Sequence, residues 1–199
     1  TGIQTCALPI LSKAKELVNN VLEKELSISS REGYSYQETI ITYADIKQRW
    51  LLVESQKRKE SDLKKLSEKM EKEKVLASKK LKSLMREKFS SPETANEVFN
   101  RFSKSLKYYQ LAELNIQEIE ESSKKKAQGK KYQVTTILEI NQDKVNQLET
   151  RAGRFILATN ELKESALSSD DILIKYKEQQ SVERGFGFLK DPLFFADSV

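Results

Sequence analysis

A chain of 199 residues with 35 Lys plus Arg against 30 Asp plus Glu carries a formal charge of +5; 38% of it is apolar and 33% charged. The absence of histidine excludes His-centred zinc sites, Ser-His-Asp catalysis and histidine acid–base work within these residues. A lone cysteine, Cys6, excludes an internal disulfide framework and makes an intracellular chain the expectation, and no apolar run reaches the roughly 20 residues that span a bilayer.

Residues 1–10 begin without methionine, lack a signal-peptide plan, and resemble the translation of a sequencing adaptor joined to a truncated reading frame. They are set aside from fold reasoning, and Cys6 with them. Over 12–26, Ala14, Leu17, Val18, Val21, Leu22 and Leu26 recur at helical spacing and predict an amphipathic helix. Residues 33–43, with Tyr34, Tyr36, Ile40, Ile41 and Tyr43, predict a strand. Arg49-Trp50-Leu51-Leu52-Val53-Glu54 predicts a second strand whose unbroken apolar centre suits burial on both faces, and the two can pair across 44–48.

Residues 57–88 predict a long charged helix with Leu63, Leu66, Met70, Ala77 and Leu84 along one line, interrupted at Glu73. Thirteen basic and six acidic residues leave two uses open: a solvated face over a packed stripe, or direct contact with DNA. Ser91 is placed to cap a new helix with Pro92 in its first turn, and Ala95, Val98, Phe99, Phe102, Leu106 and Tyr109 supply its apolar face. These two segments predict an antiparallel helical hairpin, and the break at Pro92 argues against one uninterrupted coiled coil. The lysines of 124–131 fit either a phosphate grip or a flexible connector.

Residues 132–140 alternate Tyr132, Val134, Thr136, Leu138 and Ile140 as a half-buried strand. After a polar interval, residues 154–159 read as another strand, preceded by Gly153 where a tight turn or close packing is required. Ser168 and Asp171 form a capping-box pair for a last helix, packed through Ile172, Leu173, Val182, Phe186 and Leu189 and closed at Asp191-Pro192. Asp170 and Asp171 read as caps rather than ligands, and Asp45 and Asp143 fall in connections.

The run Gly153-Arg154-Phe155-Ile156-Leu157-Ala158-Thr159-Asn160, the stretch 176–192 and the support of Arg49-Trp50-Leu51-Leu52-Val53-Glu54-Ser55 together resemble the C-terminal portion of a bacterial insertion-sequence DDE transposase. Its signature group carries Tyr, Arg, Glu and Lys on the last catalytic helix with two, three and six intervening residues. Tyr176, Glu183 and Lys190 match in type and spacing, while Gln179 stands where that pattern has arginine. The resemblance implies an α/β fold: a partial ribonuclease-H-like catalytic core, its mixed sheet flanked by helices, with an inserted helical hairpin. Residues 11–56 are then part of the core, 57–131 the hairpin insertion and basic connector, and 132–199 the C-terminal part with the glutamate-bearing helix.

By the same resemblance Glu183 is the catalytic glutamate and a metal ligand, with its two partner aspartates upstream of this chain. Lys190 holds a phosphate of the transposon end and Tyr176 helps position the DNA. Gln179 donates hydrogen bonds there without the bidentate charged clamp of arginine. Two Mg²⁺ ions about 3.5–4 Å apart serve such enzymes in DNA cleavage and joining. The implied partners are transposon-end and target DNA, in a homo-oligomer acting in the bacterial cytoplasm without a membrane. The fragment alone is expected to be inactive. Two other classes stay open: a non-catalytic nucleic-acid-binding module using the lysines of 57–88 and 124–131, and a helical protein-interaction module using the apolar faces around Leu63 and Phe99.

Overall fold

The computed structural model describes residues 3–4, 12–21, 25–43, 45–119 and 130–189. The chain divides into two compact units, one formed by Thr1–Ser61 with Arg151–Val199, the other by Asp62–Thr150.

The first unit holds a sheet of five strands: β1 (Ile3–Gln4), β2 (Ser27–Ile28), β3 (Tyr34–Tyr43), β4 (Ile46–Ser55) and β7 (Arg154–Thr159), in the order β1-β7-β4-β3-β2. The strands β3 and β4 pair from Tyr34↔Ser55 to Tyr43↔Ile46, so the connection spans two residues rather than the expected 44–48. Asp45 takes φ 61° in that turn, a left-handed conformation that Asp tolerates better than most side chains. The central position of β4, between β3 and β7, explains its continuous apolar run. Trp50 and Leu52 join Ile156, Ala158 and Val21 in one core, to which Leu17 and Val18 of helix α1 (Ser12–Asn20) add. Leu51 and Val53 join Leu157 in the core on the other face, closed by Leu167 and by Ile172 and Leu173 of helix α5 (Ser169–Leu189). Alternate residues of one strand thus serve two helices, the expected outcome of a two-residue side-chain period.

The second unit is built from most of α2 (Gln56–Leu84), from α3 (Pro92–Ser105), from a hairpin of β5 (Tyr109–Ile119) and β6 (Lys131–Ile140), and from α4 (Gln142–Arg151). Ser91 caps α3 as its sequence predicts: it is extended, its hydroxyl accepts from the Thr94 N–H at 3.3 Å, and Pro92 lies in the first turn. Leu81, Leu84, Phe89, Ala95, Phe99 and Val134 form the core of this unit.

Several expectations are corrected. Residues 57–131 are not a helical hairpin alone, because Tyr109–Ile119 is a strand. The reason it escapes pattern reading is a bulge: register shifts between Ala112 and Asn115, with Glu113 at φ 52°. An extra residue there breaks the alternation that marks a strand. The strand at 131–140 pairs with β5, so it belongs to the second unit rather than with the C-terminal segment. The first helix ends at Asn20 rather than continuing to residue 26, and α3 ends at Ser105 rather than carrying Tyr109. All pairings among the described strands are antiparallel, where a mixed sheet was expected. Ile3–Gln4, set aside from the sequence reading, pairs with β7 at Thr159 and Ala158. Of the basic connector, residues 124–129 lie outside the described residues; Lys130 pairs with Glu118 at 3.2 Å and Lys131 opens β6.

Candidate functional site

The helix that carries the motif starts with a reciprocal cap. The Asp171 N–H donates to the Ser168 hydroxyl at 3.1 Å, while the Ser168 N–H and hydroxyl donate to the Asp171 carboxylate at 3.2 and 2.6 Å. These bonds with Ser168 hold the Asp171 carboxyl below its usual pKa. Asp170 accepts from the Ser29 hydroxyl at 2.6 Å and from the Ser30 N–H at 3.2 Å, which lowers its pKa in the same way. Asp171 is therefore a cap as expected, whereas Asp170 is not: it ties the start of α5 to Ser29 and Ser30 instead. Ser168→Ala is expected to cost about 1 kcal/mol, measured as a drop in denaturation midpoint followed by circular dichroism.

Further anchors fix the first turn of α5. The Ser169 hydroxyl donates to Glu38 at 2.5 Å, and Glu38 lies 3.7 Å from the guanidinium of Arg49. Arg49 is buried on β4 and donates to the carbonyl of Leu167, just before the helix. Two turns on, the half-buried Tyr176 ring lies 5.3 Å from Phe155 of β7, a tilted pair worth about 0.5–1.5 kcal/mol beyond its area. Beside it the Lys177 ammonium sits 4.9 Å over the Tyr34 ring. Burial alone raises the Tyr34 pKa, but the bond with Lys177 leads the effects that bring it below the ordinary phenol value.

The four motif positions fare differently. Tyr176 is packed toward the sheet, and Gln179 is exposed on the helix. Position 183 lies on the described backbone of α5, seven residues beyond Tyr176 and so on the same side of the helix, but its side chain lies outside those described. Lys190 lies outside the described residues. Among the described residues no group of three or more acidic side chains converges as a metal site, and no helix is long and apolar enough to cross a membrane.

Sequence reading missed a buried ionic cluster beside these elements. Glu54 on β4 stands directly across from Arg154 on β7. The Arg154 Nε donates to Glu54 at 2.8 Å and Lys59 Nζ donates to its other oxygen at 2.9 Å. The Nη1 of Arg154 donates to the carbonyls of Val18 and Val21 at 2.9 and 2.7 Å, satisfying acceptors that the end of α1 leaves open. The available signal was the placement of single charges at the ends of two strongly apolar strands, which antiparallel register brings together. A cavity of about 530 Å³ adjoins this cluster, lined in part by Tyr34, Glu54, Lys59 and Glu60. Comparison with protein-family models, curated proteins and solved structures finds no match for this chain.

Proposed function

We propose that this chain supplies the glutamate-bearing helix and adjoining strands of a DDE-type transposase, which cleaves and joins DNA during transposition. The observation that carries this reading is the ordered set Tyr176, Gln179, Glu183 and Lys190, spaced by two, three and six residues. Two features of the fold support it. The helix is continuous from Ser169 to Leu189, so the first three positions share one element. That helix also packs on a central sheet whose other face is covered by α1, an arrangement compatible with part of a ribonuclease-H-like core.

In this proposal Glu183 is the metal-binding carboxylate, Gln179 and Lys190 contact transposon-end DNA, and Tyr176, packed against Phe155, helps position the DNA by fixing α5. Magnesium, when bound, would supply the Lewis acidity for phosphodiester chemistry. The described residues alone do not fit a two-magnesium centre, since no three carboxylates meet among them. In this proposal the partner ligands are two aspartates of upstream strands, and the role of the described residues is to hold α5 in place. The capping box, the Ser29–Asp170 bond and the Phe155–Tyr176 pair do so. The working protein is a homo-oligomer in the bacterial cytoplasm, acting on chromosomal or plasmid DNA.

The test joins this chain to the upstream segment of its genomic reading frame and measures magnesium-dependent cleavage of labelled element-end DNA. Glu183→Gln is expected to lower the cleavage rate at least 100-fold, about 2.7 kcal/mol of transition-state stabilisation. Equal cleavage by the variant and its parent would overturn the assignment.

A further inference from the structure

A groove of about 680 Å³ opens within the second unit. Lys69, Lys72, Leu76 and Lys80 line it from α2, spaced three or four residues apart on one helical face. Phe102 and Leu106 extend the apolar floor, and Lys107 completes the basic rim. Leu76, on the groove lining, is 69% exposed and offers apolar surface to an incoming side chain.

The electrostatics of this groove are one-sided. Its acid, Glu73, is committed to the protein: its carboxylate accepts from the backbone N–H of Lys107 at 2.9 Å and of Tyr108 at 2.7 Å. Among the described residues, none of Lys69, Lys72, Lys80 and Lys107 forms an ion pair. Four ammonium groups against the single Glu73 carboxylate therefore leave a net positive rim around apolar carbon. Long lysine stems flank such a floor while keeping their charges in water.

We propose that this groove docks an acidic amphipathic helix of a partner protein. Apolar side chains one turn apart on that helix seat against Leu76, Phe102 and Leu106, and flanking carboxylates meet the lysine rim. A nucleic-acid backbone would satisfy the cations but would lay hydrophilic sugar and phosphate over the apolar floor, which favours a peptide. A second copy is a poorer occupant: α2 is itself lysine-rich, and α3 spends Ala95 and Phe99 on its own core.

The test titrates the full chain into a fluorescein-labelled peptide of about 15 residues, with leucines at i, i+3 and i+7 and glutamates around them. Saturable binding is expected, weakening as salt rises from about 50 to 300 mM as the rim becomes screened. Leu76→Gln is expected to weaken it about tenfold through the lost apolar contact. Lys72→Glu combined with Lys80→Glu is expected to weaken it at least as much. Lys64→Glu, an exposed change outside the groove, leaves binding intact. All of these positions are exposed, and unchanged circular dichroism melting confirms that each variant folds. Absence of saturation overturns the proposal. So does binding that ignores Leu76→Gln, or displacement of the peptide by a DNA oligonucleotide at lower concentration, since either identifies a plain polyanion surface.

Discussion

Glu54→Gln is expected to destabilise the first unit by about 3–5 kcal/mol, because it leaves the Arg154 guanidinium buried without a counter-charge. The side chains of Arg154 and Glu54 are only 3% and 7% exposed, so water cannot replace the lost partner. Arg154→Met is expected to cost a similar amount for a partly different reason. Glu54 keeps Lys59, but the carbonyls of Val18 and Val21 lose their shared donor and α1 loses its tie to β7. The double variant should cost about 2 kcal/mol less than the sum of the singles, since each single strands a group that the other removes. Guanidinium denaturation of all four proteins measures the cycle; additive effects would show that the two side chains act separately.

The same carboxylate sets an acid limit. Burial by itself raises the Glu54 pKa, but the hydrogen bonds from Arg154 and Lys59 outweigh it and hold the pKa below the usual glutamate value. The unfolded chain therefore takes up this proton more readily than the folded one. Stability contributed here is present in full above the ordinary carboxylate range, and is lost as pH falls through the depressed folded value. Glu54→Gln removes that contribution to the acid slope, which distinguishes loss of the ion pair from a packing defect at the same position.

The parts of the fold legible in the sequence are those where one periodicity holds without interruption. The run 50–53 announces a strand buried on both faces, and Arg154–Thr159 has the bounds its apolar content indicates. The Ser91-Pro92 start of α3 follows from local chemistry and is found as expected, and so is the long helix except that it ends at Leu84 rather than at residue 88. Elements held by tertiary structure are silent. The helix α4 buries a single apolar side chain, Val145, and begins with Asn141 accepting from the Lys144 N–H at 3.1 Å. Its polarity gives periodicity nothing to report. Strands of two residues, β1 and β2, exist only because a neighbour offers them an edge.

The candidate site shows the same division. Spacing along one helix is a local property, so positions 176, 179 and 183 could be grouped before any fold was known. What holds that helix is not local: Ser29, Glu38 and Phe155 come from distant parts of the chain, and only pairing register brings them to α5. The apolar groove of the second unit was likewise half visible. Lysines on α2 could be counted, but the commitment of Glu73 to backbone N–H groups 34 and 35 residues away could not.

Gly153 joins these levels, and Gly153→Ala is expected to cost about 2–5 kcal/mol. Its φ of 76° lies in the left-handed region, where an L side chain costs about 1–2 kcal/mol. A Cβ built there would also stand 2.6 Å from Lys59 Cβ, 2.7 Å from Lys59 N and 2.7 Å from Ser55 O. Two of these atoms are backbone, so relief requires moving the β4–α2 junction or the start of β7 rather than one side chain. Overpacking of this kind adds about 1–3 kcal/mol. The displacement would also strain the hydrogen bond from the Ser55 N–H to the Gly153 carbonyl, 3.1 Å in length, and the adjoining Glu54–Arg154 pair. Gly33 provides the control, because it has φ 77° with nothing within 4 Å of a built Cβ. Gly33→Ala should therefore show only the conformational cost of about 1–2 kcal/mol. Equal denaturation midpoints for the two variants would mean that the crowded approach at Gly153 relaxes freely and that β7 is not locked against the start of α2.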